Sequence, residues 1–355
     1  MALTRRALLA SSVGLLAPHH IGSGPATLLG MHRFPKRGEL FPGTLHERVR
    51  PLQLQTLSGE VGSSPQVPLD QFYVRTRPPK LPERWPIRVT GHVHQQIDLD
   101  PWAFEGEDQG EVLMECSGNR RLTSFGLIST NRWEGVRLRD LLAEIELTPE
   151  AKGLEVIGFG GQGVEVDRSW IFPLEVLDQA FLATHLAGEA LPLLHGAPAR
   201  LIVPGWYGCC AIKWVRELRF VGADARPSPH MYAYASRVHQ EITNQALAWQ
   251  GRQQATALAT RVEHWTDGRR SWRQVHGLMW GAPAGVGLSI RTATEGVEWT
   301  PVDAYSQEST ERTWRLWTHR WEPRGRGWRQ LDLRIEGEVS QKYLDDHTYR
   351  RLIQV

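Results

Sequence analysis

Cysteine is scarce in this chain. Its 355 residues hold three, Cys116, Cys209 and Cys210. The last two are adjacent, and adjacent cysteines bridge only with strain, so stability has to come from packing rather than from disulfides. No Cys-x-x-Cys-His occurs in the sequence, which excludes covalent attachment of a c-type haem to it. Excess charge is lacking as well. The formal net charge is +2, which gives no reason to expect nucleic acid as a partner. No apolar run reaches the roughly 20 residues that a membrane-spanning helix requires, and there is no internal repeat or low-complexity tract. What remains is a globular composition, 41% hydrophobic and 23% charged, in a chain long enough to bury large cores.

The N-terminus reads as an export signal. Thr4-Arg5-Arg6 precedes a short, weakly apolar stretch from Ala7 to Ala17 that contains Ser11, Ser12 and Gly14 and ends at Pro18. That run is too short to anchor in a bilayer, so residues 1–30 are expected to be a twin-arginine signal peptide. The chain would then be exported already folded, to the periplasm.

Residues 31–84 are rich in proline, glycine and charge, and predict an extended arm. From Trp85 the pattern sharpens, and residues 85–225 predict an α+β domain. Trp85, Ile87 and Val89 alternate as in a strand, while Leu138, Leu141, Leu142 and Ile145 have helical spacing. Leu174, Leu177 and Phe181 suggest a second helix, opened by Pro173. Leu201 with Val203, and the even positions from Ile212 to Phe220, predict two further strands. Residues 226–250, with Pro227 and Pro229, read as a linker. Nine of the fifteen tryptophans follow residue 245. Trp314-Leu316-Thr318 and Leu331-Leu333-Ile335 each share a strand face, with a turn at 324–327 between them. Residues 251–355 therefore predict an all-β, immunoglobulin-like sandwich.

Two patterns suggest chemistry weakly. Gly158, Gly160 and Gly163 match G-x-G-x-x-G after a strand, but a dinucleotide site needs a helix to start there. Val164 and Val166 alternate with charge instead, so the glycines read as a turn. His92 and His94 point to one strand face with no third metal ligand in view, which fits a solvated face. Cys116 is different. Arg120 and Arg121 beside it would favour the thiolate, the form that binds metals. Gly118 lets backbone come close to a ligand, and paired arginines can hold an oxyanion. A thiolate beside an anion pocket suggests a metal centre acting on an anionic substrate.

The run Glu115-Cys116-Ser117-Gly118-Asn119-Arg120-Arg121 resembles the Cys-Ala/Ser-Gly-Asn-Arg-Arg motif of the sulfite oxidase family of molybdenum-cofactor oxidoreductases, which includes eukaryotic nitrate reductases. The segments 72–75, 128–142, 195–200, 203–208 and 213–214 are similar to other motifs of that family, in order, and the resemblance covers about residues 70–220. It implies that Cys116 is the protein ligand to molybdenum, which a single pyranopterin (molybdopterin) also holds through two sulfurs. It implies that His195, Arg200 and Lys213 hold the pterin phosphate, that Arg75 and Arg121 face the oxyanion, and that Trp133 walls the pocket. Arg77, which stands where the family commonly has histidine, could meet a phosphate, and Gly118 admits the cofactor. The tail would be the family's second, dimerisation-type domain, consistent with a homodimer.

The chain departs from the family in several places. Where the family is expected to carry an active-site tyrosine, Arg168 or Trp170 stands. The C-terminal Trp-Asn-x-Arg-Gly segment is missing, and Arg350 and Arg351 are the nearest replacements. Cys209-Cys210 takes the place of small or basic residues; the pair could be redox-sensitive or could simply fill core. The resemblance implies an oxidoreductase that converts sulfite to sulfate and passes electrons to an external carrier, a c-type cytochrome, since no haem or flavin site is visible. The alternatives are the same cofactor reducing an S- or N-oxide, and a cofactor-free binding scaffold.

Overall fold

The structure, a computed structural model, describes residues 26–34, 52, 54, 66–119, 125–160, 167–238, 242–292, 298–305, 312–337 and 351–355. The first domain is built from two five-stranded sheets. In one, Ile87–Gly91 runs parallel to Val215–Val221, which is antiparallel to Gly153–Gly158; Ile97–Leu99 and Arg168–Pro173 close its edges. The other orders Arg200–Ile202, Phe181–Leu186, Ile128–Arg137 and Glu107–Glu115, with the short Glu189–Ala190 also paired to Phe181–Leu186. Ile87, Val89, Leu154, Val156 and Leu218 are all fully or nearly fully buried in one core, because alternate residues of each strand face the same side.

Helix is sparse. The apolar spacing from Leu138 to Ile145 predicts a helix, but only Leu138–Leu141 is α-helical. Successive turns carry the chain on, with Ala143 N–H donating to Asp140 O and Ile145 N–H to Leu142 O. Turns of this kind keep Leu141, Leu142 and Ile145 on the core without a longer helix. The second expected helix is the 3-10 segment Leu174–Asp178, and Phe181 belongs to the following strand.

The second domain is an all-β sandwich. One sheet contains Thr27–Arg33, Thr256–Thr266, Ser271–Trp280, Arg315–Trp321 and Ala304–Tyr305; the other contains Thr300–Pro301, Leu288–Arg291, Trp328–Ile335 and Arg351–Gln354. Thr27–Arg33, read from sequence as the end of the leader and start of the arm, is the edge strand beside Thr256–Thr266. Residues 226–250 pack into the first domain: Met231, Ala235, Val238, Ala246 and Trp249 are buried in the same core as Leu154 and Trp170. The short helix Pro229–Tyr234 starts there because the Ser228 hydroxyl caps Met231 N–H and proline occupies the first turn. The domains share a seam. Leu113 and Ile128 pack with Leu258, Leu278, Trp280 and Trp314, and Leu113 N–H donates to Arg312 O at 2.6 Å.

Gly158 has a reason that its motif does not suggest. A Cβ there would lie 2.1 Å from Lys213 O and 2.7 Å from the Ile212 side chain, so the two strands can approach only over glycine. The next described element is the strand Arg168–Pro173, antiparallel to Gly153–Gly158, not a helix; Gly163, Val164 and Val166 lie outside the described residues. Gly158→Ala is expected to destabilise the protein by about 1–3 kcal/mol, the usual cost of overpacking. Thermal unfolding of the purified variant checks this, and an unchanged melting temperature would refute the close approach.

Candidate active site

Cys116 follows directly on the strand Glu107–Glu115. Its N–H donates to Leu127 O at 2.9 Å, and Asn119 N–H turns back to Cys116 O at 2.8 Å. Asn119 then locks the turn, its Oδ1 accepting from Leu127 N–H at 3.0 Å and its Nδ2 donating to Glu115 at 3.3 Å. Glu115 is fully buried and accepts from Trp280 Nε1 of the second domain at 2.9 Å. Glu115 and Asn119 thus brace the turn, and Cys116 lines a cavity.

That cavity, about 580 Å³ with its open mouth, is lined by Cys116, Arg75, Arg168, Arg200, Lys213 and Tyr73, together with Gly208, Cys209, His230 and Tyr234. Arg75 and Tyr73 come from the arm, where Tyr73 N–H donates to the Ser129 hydroxyl. Lys213 is held from both sides, its Nζ donating to Thr76 O at 2.9 Å and to Leu194 O at 2.7 Å. Arg200 Nη1 donates to His195 O at 3.1 Å.

Five of the residues expected from the sequence therefore meet: Arg75, Cys116, Arg168, Arg200 and Lys213. Others stand elsewhere. The Trp133 ring is fully buried, edge-on to Phe72 with the Arg200 guanidinium 6.0 Å from its centre; it backs Arg200 and does not wall the cavity. His195 presents its ring to Phe72 and reaches the site through its carbonyl. Arg77 is exposed and off the cavity wall. Gly118 borders the thiol, since a Cβ there would lie 3.8 Å from Cys116 Sγ and 3.8 Å from Arg237 Nη1. Trp170 is buried in the core. Arg351 lies against the Phe34 and Phe125 rings. Arg120, Arg121 and Arg350 are outside the described residues.

Sequence reading missed Tyr73, His230 and Tyr234 as lining residues. Tyr73 sat in a recognised segment but was passed over for its charged neighbour. His230 and Tyr234 could have been found from Ser228-Pro229, a helix start that puts residues four apart on one face.

Electrostatics identify what the cavity is made for. Among the described residues it has no carboxylate, and none pairs with Arg168, Arg200 or Lys213. Burial, then Arg200 and Arg168, push the Lys213 pKa well below its ordinary value. Burial lowers Arg200 to about 10. The Nε atoms of Arg168 and Arg200 and the Ser117 hydroxyl are buried without a partner, and such groups call for an acceptor. His230 is lowered to about 4 by burial, against the opposing bond to Cys209 O and with help from Arg168, so it adds no charge at neutral pH. Burial and Cys116 raise the Tyr73 phenol, which keeps its proton. Buried cations beside a cysteine thiol fit an anionic group that carries a soft metal.

Residues 75–229 match the family described as oxidoreductase molybdopterin binding domain. That segment belongs to the molybdopterin-binding oxidoreductases, the group that includes sulfite oxidase. Over 218 residues the chain is 29% identical to the NADH nitrate reductase of Spinacia oleracea, covering 51% of the chain and 23% of the relative. Over 186 residues it is 27% identical to the sulfite oxidase of Gallus gallus, covering 45% and 40%. The chain thus spans less than half of either relative. The sulfane dehydrogenase SoxCD of Paracoccus pantotrophus shares the fold, with a TM-score of 0.60 at 19% identity over 86% of this chain and 84% of that one. The comparisons indicate molybdenum with molybdopterin as the cofactor, and the cations that line the cavity suit its phosphate.

Proposed function

We propose that the chain is an oxo-transfer oxidoreductase that oxidises sulfite, or a closely related small oxyanion, to its higher oxide. The observation that carries this reading is the cavity itself, where the buried Cys116, with Cys209 also in the wall, meets Arg75, Arg168, Arg200 and Lys213 and no carboxylate among the described residues. When bound, the molybdenum cofactor supplies the exchangeable oxo group and takes up the electron pair. Cys116 would hold the metal. Arg200 and Lys213, seated deepest, would hold the pterin phosphate by charge-assisted hydrogen bonds. Arg75 and Arg168 would face the substrate and orient it by its oxygens. Tyr73, kept protonated by burial, would donate a hydrogen bond to an oxygen in the cavity. His230, with Nε2 on Cys209 O at 2.9 Å, would fill the wall as a neutral group.

Oxidising sulfite with water to sulfate releases two electrons and two protons. We assign the electrons to an external one-electron carrier of the c-type cytochrome class, in the periplasm, in keeping with the paired arginines at 5 and 6. Nitrate reductases among the relatives favour one competing reading, reduction of an oxyanion at the same site. Steady-state assays of the molybdenum-loaded protein separate the two. Sulfite with ferricyanide should turn over, two ferricyanides reduced per sulfite; a rate only with nitrate and a reduced dye would overturn the sulfite reading.

A further inference from the structure

A second concave site lies apart from the cofactor cavity, along the seam between the domains. It encloses about 1300 Å³ including its open side. Strand ends and loops of the first domain supply Gln109, Arg137 and Gly205, and the second domain side supplies Arg252, Gln253 and Arg312. Each arginine is anchored by something other than a carboxylate. Arg137 Nε donates to Gln109 Oε1 at 3.3 Å. The Arg252 guanidinium lies 5.8 Å from the Trp206 ring centre. Arg312 is placed on the groove by its backbone, its carbonyl accepting from Leu113 N–H. The carboxylate on the rim, Asp178, is already taken by Arg139. Among the described residues no acid pairs with Arg137, Arg252 or Arg312, and the Gln253 Nε2 has no acceptor. Burial and the neighbouring Arg137 both lower the Arg312 pKa, the mark of like charges held together without a counter-ion.

We propose that this seam groove is a binding site for a small molecule carrying two or more anionic groups, carboxylate or phosphate, which Arg137, Arg252 and Arg312 grip from both domains. Planar guanidiniums suit both anion types. A single-charge ion would leave the repulsion between the others unrelieved, so the site selects multiple charge. The groove also touches the loop that lines the cofactor cavity. Gly205 O accepts from Gln253 N–H at 2.8 Å, Tyr207 N–H donates to Gly251 O at 2.7 Å, and Gly208 N–H donates to Glu115 O. A ligand there would stiffen residues 205–209 whatever the enzyme's substrate, so the inference goes beyond the proposed function and does not depend on it.

Calorimetric titration of the molybdenum-loaded protein with inorganic pyrophosphate tests it, alongside Arg137→Gln and Arg312→Gln. Saturable one-site binding is expected in the unaltered protein, at least tenfold weaker in each variant, with molybdenum content unchanged. Gln253→Glu, which puts a carboxylate into the groove, should weaken binding similarly and keeps the test alive if an arginine variant fails to fold. No saturable binding, or equal affinity in all the variants, would overturn the proposal, the latter by placing pyrophosphate on the cavity cations instead.

Discussion

Replacing Cys116 with serine is expected to strip molybdenum from the protein, to less than about a tenth of an atom per chain. Serine has nearly the same shape, but its hydroxyl is a hard and weak ligand where the metal calls for a soft thiolate. Folding should survive. The turn around Cys116 is held by backbone groups and by Asn119 and Glu115. The cofactor-free variant should therefore melt within a few degrees of the cofactor-free parent. Cys209 also lines the cavity, so Cys209→Ser is the necessary companion. If Cys116→Ser kept a full complement of metal while Cys209→Ser lost it, the ligand would be the other cysteine. Elemental analysis of both, purified from the same cofactor-producing host, decides between them.

Lys213→Met should produce the second large effect. Methionine keeps the length of the stem and removes the charge, so one charged hydrogen bond to the cofactor disappears. Such a bond contributes about 1.5–3 kcal/mol, and cofactor retention after gel filtration should fall roughly tenfold to a hundredfold. The cofactor-free protein carries a separate signature. A lysine whose pKa is depressed on folding binds fewer protons in the native state than in the unfolded chain. The stability of the cofactor-free parent should therefore rise with pH, from the depressed value up to the ordinary 10.5. Below that window the charged lysine sits unpaired beside Arg200 and Arg168, and its penalty is fully present. The variant also loses the bonds to Thr76 O and Leu194 O, so its absolute stability is not diagnostic and the slope is. Denaturant unfolding between pH 7 and 10 measures it; equal slopes in parent and variant would mean that Lys213 is not the destabilised cation.

The centre of the site was legible because its logic is local. Cys116, Glu115 and Asn119 lie within five residues and brace one another, so a short motif carries both the cavity cysteine and its support. His195, Gly196 and Arg200 are a local unit as well, and the structure uses the His195 carbonyl to hold Arg200. Side-chain direction was harder to read. Trp133 occupies the expected segment, yet strand alternation turns Arg132 outward and Trp133 inward against Phe72. Which buried layer an inward residue meets depends on what packs there, and at Trp133 that is Phe72 and Arg200. Residues 226–250 misled for the same reason: prolines and polar residues suggested a connection, but Met231 and Trp249 are carried into the core by contacts with strands far away in sequence.

By itself, the sequence determined the family motif, the cysteine that lines the cavity, the cationic character of its surroundings and the succession of an α+β domain and a β sandwich. Those follow from residue type and short-range periodicity, which act over a few positions. Only the tertiary structure decided that His230 and Tyr234 close the cavity, that Thr27–Arg33 edges the distant second domain, and that three arginines from separate segments face one groove. Each of these joins positions many tens of residues apart. Their proximity comes from the packing of whole sheets, and no local pattern encodes it.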